Sequence, residues 1–409
     1  MDRIFFHIDV NSAFLSWSAV EKLKTEPTLD LRAIPAIIGG DSKTRHGIVL
    51  AKSIPAKKLA IETAEPIASA LKKCPTLVIE PPNMELYRHN SNQLMEYLSS
   101  YCPDIEQVSI DECYMDYTPI ARNYSSPLEA AEQIKNGVYQ NFGFTVNIGI
   151  SDRKVLAKMA SDFEKPDRIH TLFSYEIQSK MWPLPVSNLF MCGHSSVQAL
   201  RNLGIITIGD LAQCDQAILA SNLKSHGQML YAYANGCDDS VVVTQKERLK
   251  GVGNSTTLSK DLTTIDEVRP VLLQLAGKVS RRLRFDSRFA SMVSVEIKYS
   301  NFQSNSHQTT LIQPTSSEQM LYQTACILFE EIWNGTPVRL LGIRTSKLVD
   351  EDAPSQMSIF DFVPESFGES GSQPDWQKQR KAEKAIDDIR QKYGDSAIIK
   401  GRFLPHQKE

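Results

Sequence analysis

The chain has 409 residues, of which 42% are hydrophobic and 23% are charged, and its formal net charge is −3. It has no run of 18 apolar residues and no signal peptide ahead of Asp9, so we expect a soluble, cytoplasmic protein of two to four domains with no membrane partner. The seven cysteines are odd in number and never in CxxC spacing, which argues against a disulfide framework and against structural zinc.

The first 171 residues alternate short apolar strands with helices, a pattern typical of an α/β or α+β catalytic core. We predict strands over residues 4–10, 36–38, 47–51, 77–79, 105–110, 113–117 and 144–150, and helices over residues 12–24, 55–61, 83–101 and 126–141.

From about residue 172 the pattern changes to short helices separated by glycines, among them Gly193 and Gly204. This spacing is typical of helix-hairpin-helix units, in which backbone N–H groups at a glycine turn contact DNA phosphates without reading sequence. An ordinary helical subdomain with glycine C-caps fits the segment equally well.

A basic module follows a linker at residues 239–248. Residues 246–347 contain 14 basic and 9 acidic residues, a net charge of +5, so the rest of the chain carries −8. The pattern is β-α-β-β-α-β, with strands predicted over 251–259, 290–299, 307–313 and 338–347 and helices over 265–285 and 316–334. A run of charged residues is usually a solvated face of a helix. Few acids lie near the basic run of this module, which favours a phosphate-facing surface formed by Lys278, Arg281, Arg282, Arg284 and Arg288.

Three carboxylates, those of Asp9, Asp111 and Glu112, lie in or beside apolar strands, where an unpaired charge is costly. Neighbouring residues on a strand point to opposite faces, so Asp111 and Glu112 can share a metal only at a strand end or a bend. Such oxygen donors suit Mg²⁺, and two ions about 3.5–4 Å apart could activate a 3′-hydroxyl and stabilise a leaving pyrophosphate. Spacing alone equally allows Asp111 and Glu112 to be turn residues of a hairpin. The basic residues Lys52, Lys57, Lys58 and Lys165, which could neutralise a triphosphate, favour the metal site.

The chain resembles the Y-family (UmuC/DinB-like) translesion DNA polymerases, most closely the UmuC-like branch of Gram-positive bacteria, from residue 1 to about 349. Three motifs carry the resemblance: DVNSAF at 9–14, SIDE at 109–112, and GISDRKVLAKMAS at 149–161 followed by Lys165-Pro166. It implies an α+β right-hand polymerase with a ferredoxin-like palm, small fingers, a helix-hairpin-helix thumb and a β-α-β-β-α-β little finger. The implied boundaries are 1–12 and 82–171 for the palm, 13–81 for the fingers, 172–238 for the thumb, 249–349 for the little finger and 350–409 for a flexible tail.

The resemblance also implies the activity: template-directed, low-fidelity DNA synthesis past lesions, by transfer of a nucleotide from a dNTP to a primer 3′-OH. It implies a place in the DNA damage response and SOS mutagenesis. The implied cofactors are two Mg²⁺ ions, with Mn²⁺ as a substitute. The implied partners are primer–template DNA, dNTPs and accessory repair or recombination proteins, and we expect a monomer.

Roles follow from the resemblance residue by residue. Asp9 and Asp111 would ligate both metals, Glu112 the catalytic metal, and the Val10 carbonyl the nucleotide-bound metal. Phe14 would be the steric gate against a ribose 2′-OH. The remaining nucleotide contacts would be a roof over the template base, formed by Ile48 and Leu50, and triphosphate contacts from Lys57 and Lys165. Gly193, Gly204 and the basic residues Lys278, Arg281, Arg282 and Arg284 would contact DNA.

Several positions depart from the family pattern or allow a plainer interpretation. Ala51 and Ile54 stand where many relatives carry Thr and Tyr, and Asn11 replaces a frequent aspartate. Without the motif, Phe14 would be interpreted as a core residue. We interpret His7 as a packed histidine and Cys113 as buried and unreactive.

The tail contains an apolar segment within polar sequence, formed by Gln356, Met357, Ser358, Ile359 and Phe360. It resembles the pentapeptide by which bacterial polymerases dock on the beta sliding clamp, with Ile and Phe as anchors in a preformed pocket. The plainer alternative is a tail segment packed against its own domain. A polar helix is predicted over 376–393.

Two other functions compete with polymerase activity. A nucleotidyl cyclase also joins metal-binding acids to a ferredoxin-like sheet, but it would not need the glycine-rich and basic modules. A catalytically weak or inactive, clamp-docked DNA-binding regulator of the same fold remains open because of Ala51 and Ile54, although the three acids argue against it.

Overall fold

The computed structural model describes residues 3–40, 47–245, 248–351, 376–394 and 397–398. Contacts divide the chain into two compact units, Met1–Lys246 and Glu247–Glu409, each with its own apolar core. In the described ranges, no helix is both long enough and apolar enough to cross a membrane. All seven cysteines lie within these ranges and are free thiols.

The first unit carries eight strands in its described part, and they form two sheets. In chain order they are β1 (Phe5–Val10), β2 (Ala36–Gly39), β3 (Val49–Lys52), β4 (Val78–Glu80), β5 (Ile105–Gln107), β6 (Glu112–Asp116), β7 (Val146–Ser151) and β8 (Ile169–Thr171). The larger sheet has the order β5-β6-β1-β7-β8, and the smaller one the order β3-β2-β4. Every residue of β1 and β7 is buried, because these two strands occupy the middle of the larger sheet.

Helices of the first unit pack around these sheets and then continue as a helical segment. They are α1 (Ala13–Thr25), α2 (Ile54–Lys58), α3 (Ile67–Lys73), α4 (Met84–Tyr101), α5 (Pro127–Phe142), α6 (Lys154–Ser161), α7 (His194–Asn202), α8 (Ile208–Ala212) and α9 (Gln216–Ala234). Sequence signals fix several ends: α5 begins after Ser126, whose side chain accepts a hydrogen bond from the Glu129 N–H, and ends at Gly143 in a left-handed conformation.

The second unit has the predicted order of elements. Its strands and helices are β9 (Gly251–Leu262), α10 (Ile265–Phe285), β10 (Arg288–Tyr299), β11 (Ser304–Thr315), α11 (Glu318–Ile332), β12 (Val338–Asp350) and α12 (Trp376–Tyr393). The strands form one antiparallel sheet with the order β11-β10-β12-β9. Helices α10 and α11 bury apolar side chains against this sheet.

Three elements of the first unit are absent from the sequence prediction: α3, α6 and β8. The short β8 has partly exposed residues and no alternating pattern, so it forms through its parallel pairing with β7 rather than through local preference. Arg288, which the sequence analysis groups with the basic residues of α10 in one phosphate-facing surface, lies in β10, since α10 ends at Phe285.

Candidate active site

The pairing of β1 with β6 brings the predicted acids together. Asp9 on β1 is the antiparallel partner of Glu112 on β6, and the Val10 N–H donates to the Asp111 carbonyl at 3.0 Å. Asp111 lies in the bend just before β6, and Glu112 is the first residue of that strand. The expectation that these two neighbours sit at a strand end is therefore confirmed. The bend is also part of the connection between β5 and β6, as the hairpin interpretation expects, and the metal-site interpretation stays a prediction.

Two lysines lie against the acids. Lys158 on α6 places its Nζ 3.0 Å from Glu112 Oε2 and 3.9 Å from Asp9 Oδ2. Lys165 Nζ donates to Asp9 Oδ2 and lies 2.8 Å from Asp162 Oδ1. Burial opposes the charge of both ammonium groups, but the surrounding carboxylates outweigh it and raise both lysine pKa values. One ammonium shared between Asp9 and Glu112 means that their carboxylates face a common space.

Glu112 is held as a carboxylate. Its Oε2 lies 3.3 Å from Nε2 of the buried His7, and this contact, followed by Lys158, lowers the pKa of Glu112 to about 2 against the opposing effect of burial. Burial also lowers the pKa of His7, so its imidazole is neutral near pH 7. His7 is thus a packed histidine, as predicted, but one that touches a site carboxylate.

Asp111 behaves in the opposite way. Burial raises its pKa, the Ser109 hydroxyl that donates to Asp111 Oδ1 at 2.7 Å lowers it, and the nearby charges of Asp9 and Glu112 raise it again. At Asp111 the negative charges of Asp9 and Glu112 thus add to the cost of burial, and a bound cation would offset both.

The donor set fits a divalent metal ion. Within the described ranges, no three acidic, histidine or cysteine side chains are already arranged as a metal cage. Mg²⁺ does not require such a cage, because it usually binds one or two carboxylates together with water and substrate phosphates. The facing carboxylates of Asp9 and Glu112, with a lysine cation between them, meet that requirement. Cys113 is fully buried beside them, and burial raises its pKa to about 12, so it is no nucleophile.

The predicted nucleotide contacts lie on α1, β3, α2 and the segment after α6. The ring of Phe14, half-buried on α1, stacks on Tyr87 with centroids 4.5 Å apart and an interplanar angle of 8°. Ile48 is exposed just before β3, Leu50 is half-buried on it, and Lys57 is exposed on α2. Their roles in binding a nucleotide stay predictions.

Some of the predicted DNA contacts are exposed to solvent, and others already bind groups of the protein. Gly193 and Gly204 flank α7 with open space where a Cβ would lie, and Gly204 has a φ of +78°. On α10, Lys278 is exposed and Arg282 is exposed while donating to the Gly253 carbonyl at 2.8 Å. Arg281 is half-buried.

Arg284 differs from the other basic residues of α10. Its side chain is 11% exposed, and its guanidinium lies 2.6 Å from Glu383 and 2.7 Å from Asp387, both on α12. The structure thus places Arg284 in an ion-pair network rather than on an open basic surface. The clamp-binding candidates Gln356, Met357, Ile359 and Phe360 lie outside the described residues.

Sequence reasoning did not single out Lys158 or Asp162, because it assigned no helix to the 149–161 motif. A helix there puts Lys154 and Lys158 on one face, since residues four apart are neighbours. A buried strand ending at Ser151, followed by Arg153 and then by apolar residues with helical spacing, was the available signal.

These features define a class of protein. A mixed sheet presents acids at the ends of two central strands, lysines neutralise them, and a separate unit carries exposed cations. That combination is typical of enzymes that act on nucleotides and nucleic acids with the help of divalent metal ions, the nucleotidyl-transferring polymerases among them.

Comparisons with known proteins narrow the class. Residues 8–162 match the family described as impB/mucB/samB, and residues 249–359 match the C-terminal domain of that family. The chain is 43% identical to DNA polymerase IV of Clostridium acetobutylicum over 100% of both chains, and 35% identical to DNA polymerase IV 1 of Bacillus subtilis over 99% of this chain and 94% of the relative. A solved Y-family DNA polymerase chimera, 21% identical, has the same fold with a TM-score of 0.75 and covers 85% of this chain and 99% of its own.

The chain therefore belongs to the impB/mucB/samB family, the Y family of translesion DNA polymerases, and is a DNA-directed DNA polymerase. The right-hand polymerase fold is confirmed. The assignment to a UmuC-like branch needs correction, because the relatives named DNA polymerase IV place the chain on the DinB-like side. Polymerases of this family depend on divalent metal ions and use primer–template DNA and dNTPs. Neither the cyclase nor the inactive regulator is favoured.

Proposed function

We propose that the chain extends primers past damaged template bases with two Mg²⁺ ions, held by Asp9, Asp111, Glu112 and the Val10 carbonyl. The observation that carries the proposal is the register of β1 on β6, which sets Asp9 beside Glu112 with Lys158 between their carboxylates. Mn²⁺ should substitute, because the donors are hard oxygen atoms.

When bound, the metal ions would lower the pKa of the primer 3′-hydroxyl and stabilise the departing pyrophosphate. The 3′-hydroxyl would give its proton to water, its oxygen would form a bond to the α-phosphorus, and the bond from that phosphorus to the bridging oxygen would break, releasing pyrophosphate. The chain's own residues orient the reactants: Lys165 and Lys57 would bind the phosphates as point charges. His7 and Lys158 hold Glu112 ionised, so that it accepts a cation without first losing a proton.

Selection of the sugar and tolerance of the template would come from apolar residues. Phe14 would occupy the space of a ribose 2′-OH, and its stacking on Tyr87 supports the ring in one orientation. Ile48 and Leu50 would form the roof over the base pair. Aliphatic side chains of this size would contact little of the base pair's surface. The polymerase would therefore discriminate less against wrong base pairs and accept damaged template bases.

The elements support an assignment of the four polymerase domains. The five-stranded sheet carries the acids and would be the palm, over 1–12 and 82–171, and the three-stranded sheet would lie in the fingers, over 13–81. Helices α7 to α9 would form the thumb, over 172–238, and β9 to β12 the little finger, over 249–349.

DNA would be held mainly through its phosphates. Support comes from the open glycines Gly193 and Gly204 and from the exposed Lys278 and Arg282. The four-stranded sheet adds a groove of about 500 Å³ lined by polar side chains such as Asn254, Ser294 and Asn305, with Arg344.

Primer extension with Mg²⁺ and four dNTPs tests the proposed site. Asp111→Ala should reduce extension by at least about 10³-fold, since it removes a ligand of both metals. Asp116→Ala is the matched control, because Asp116 lies at the other end of β6 and accepts a hydrogen bond from the Thr118 N–H at 2.9 Å. Wild-type protein that binds DNA without extending it would favour the inactive regulator.

The clamp partner rests on sequence alone. We expect Phe360→Ala to abolish pull-down by a bacterial beta sliding clamp while leaving extension without the clamp intact. Phe362→Ala, just outside the pentapeptide, is the control. Undiminished clamp binding by Phe360→Ala would remove this partner.

A further inference from the structure

The row of side chains that begins with Glu112 and Asp9 continues to Asn147. In the antiparallel register of β1 on β7, Asn147 is the partner of Asp9, so it lies directly beside the metal-binding acid. Asn147 is completely buried, and its amide is fully used in hydrogen bonds. Its Nδ2 donates to the carbonyls of Ser161 at 3.0 Å and Glu164 at 2.7 Å.

The other atom of this amide, Asn147 Oδ1, accepts two hydrogen bonds. One comes from Asn11 Nδ2 at 3.0 Å, and the other from the Arg168 N–H at 3.2 Å. The orientation of the amide is therefore fixed by chemistry: the reverse assignment would set an NH₂ group against two donors and an oxygen against two carbonyls.

Asn11 extends the network to the end of β1. Its Oδ1 accepts hydrogen bonds from the Asp167 N–H at 2.9 Å and from the Thr145 hydroxyl at 2.9 Å. The two asparagines together bind four backbone groups of one segment: the carbonyls of Ser161 and Glu164 and the N–H groups of Asp167 and Arg168.

Lys165 lies inside that bound segment. Its backbone is held just before and after by these contacts, while its ammonium reaches Asp9 and Asp162. We propose that the Asn11–Asn147 amide pair is a positioning element, which fixes the backbone on both sides of Lys165 and so aims its ammonium at the triphosphate of the incoming nucleotide. The inference rests on the proposed phosphate role of Lys165.

The amide at position 11 matters because this one side chain must both donate and accept. Its Nδ2 donates to Asn147, and its Oδ1 accepts from the neighbouring segment. With aspartate there, the frequent family residue, one carboxylate oxygen would face Asn147 Oδ1 where the present contact is a 3.0 Å hydrogen bond. Asn147→Asp would break the other side, since an oxygen would face the carbonyls of Ser161 and Glu164. In this chain the two amides are matched to each other.

Hydrogen exchange on the protein without metal or nucleotide tests the anchoring. Asn147→Asp should speed exchange at the Asp167 and Arg168 amides by at least about tenfold. Asn141→Asp is the control, because the exposed Asn141 amide donates only to the Gly137 carbonyl of its own helix, at 2.8 Å. If Asn147→Asp fails to fold, two other variants give the same readout: Asn147→Ser buries no added charge, and Asn11→Asp removes only the bond to Asn147 Oδ1. Unchanged exchange in the folded variants would overturn the inference.

A double-variant cycle tests whether the pair acts through Lys165. Asn147→Asp should raise the KM for dNTP about tenfold with kcat nearly constant, because a phosphate contact made equally in ground and transition states affects binding. In a Lys165→Ala background the same change should add less than about twofold.

If the KM of the double variant rises by the product of the two single-variant effects, the substitutions act independently. That result would overturn positioning through Lys165, while leaving the phosphate role of Lys165 intact. An unchanged KM in Lys165→Ala alone would overturn that phosphate role, and with it the inference about substrate. A fall in kcat with constant KM in Asn147→Asp would also count against positioning of a phosphate contact.

Discussion

The Lys158 ammonium lies 3.0 Å from the Glu112 carboxylate and occupies the space that Glu112 shares with Asp9. The polymerase thus supplies its own cation where a metal ion is expected. Both side chains are largely buried, with 14% of Lys158 and 23% of Glu112 exposed, so neither charge is well hydrated. A cation supplied by the chain stabilises the metal-free fold, but it must be displaced or rearranged when metal arrives.

Removing this cation should make folding more dependent on metal. For Lys158→Met without metal, we expect the free energy of unfolding to fall by about 1–3 kcal/mol, because buried carboxylates lose their partner. Mg²⁺ should then raise the melting temperature more in the variant than in wild type, since binding to the native state adds stability. Lys22→Met, which breaks the 3.2 Å pair with Glu80 away from the site, is the control. Equal Mg²⁺-induced shifts in both variants would contradict the expectation.

Glu112 should also give the metal-free protein a defined response to acid. Its pKa is lowered to about 2 from 4.5, so its contribution to stability is fully present above about pH 4.5 and is lost as the pH falls toward 2. The contribution is at most roughly 3 kcal/mol. Denaturant unfolding of wild type and Glu112→Gln, both in chelator, should therefore differ at pH 7 and converge near pH 2. A difference that stays constant from pH 7 to pH 2 would show that Glu112 does not titrate in this way.

The strands that carry the acids could be predicted because the sequence of a buried central strand is a nearly continuous apolar run, as in β1. The bend at Asp111 was predicted as a condition, because two adjacent acids can share one metal site only at a strand end or a bend. The helix α10 was predicted with its observed bounds, since Thr264 and Glu267 mark its start and apolar residues repeat along one face.

Other features depend on contacts distant in sequence. The 3.3 Å approach of His7 to Glu112 and the link from Asn11 to Asn147 join residues more than 100 positions apart, and no local pattern encodes them. The same holds for Arg284. A count of charges assigns it to an open basic face, but its guanidinium pairs with acids of α12, about 100 residues further along the chain.

Phe14 should control the choice of sugar. Phe14→Ala should raise ribonucleotide incorporation, measured as kcat/KM for rNTP relative to dNTP, by about 10²-fold or more, because the proposed barrier to a 2′-OH is the ring itself. Phe142→Ala removes another half-buried ring, one that packs on Phe144 at 5.6 Å, and serves as the control for general loss of packing. Unaltered sugar selectivity in Phe14→Ala would exclude the gate.

The basic residues of α10 should differ in what they do for DNA binding. Lys278 is exposed, so Lys278→Ala should weaken binding and reduce the slope of log affinity against log salt by about 1, the value expected for one lost phosphate contact. Arg284 is already held by Glu383 and Asp387, so Arg284→Ala should leave that slope unchanged. It should instead lower the free energy of unfolding by about 1–3 kcal/mol, because the ion pairs of Arg284 with two largely buried carboxylates are lost. Fluorescence anisotropy at several salt concentrations, with denaturant unfolding of the same variants, measures both quantities. A slope reduced equally by the two substitutions would mean that Arg284 leaves α12 to contact DNA.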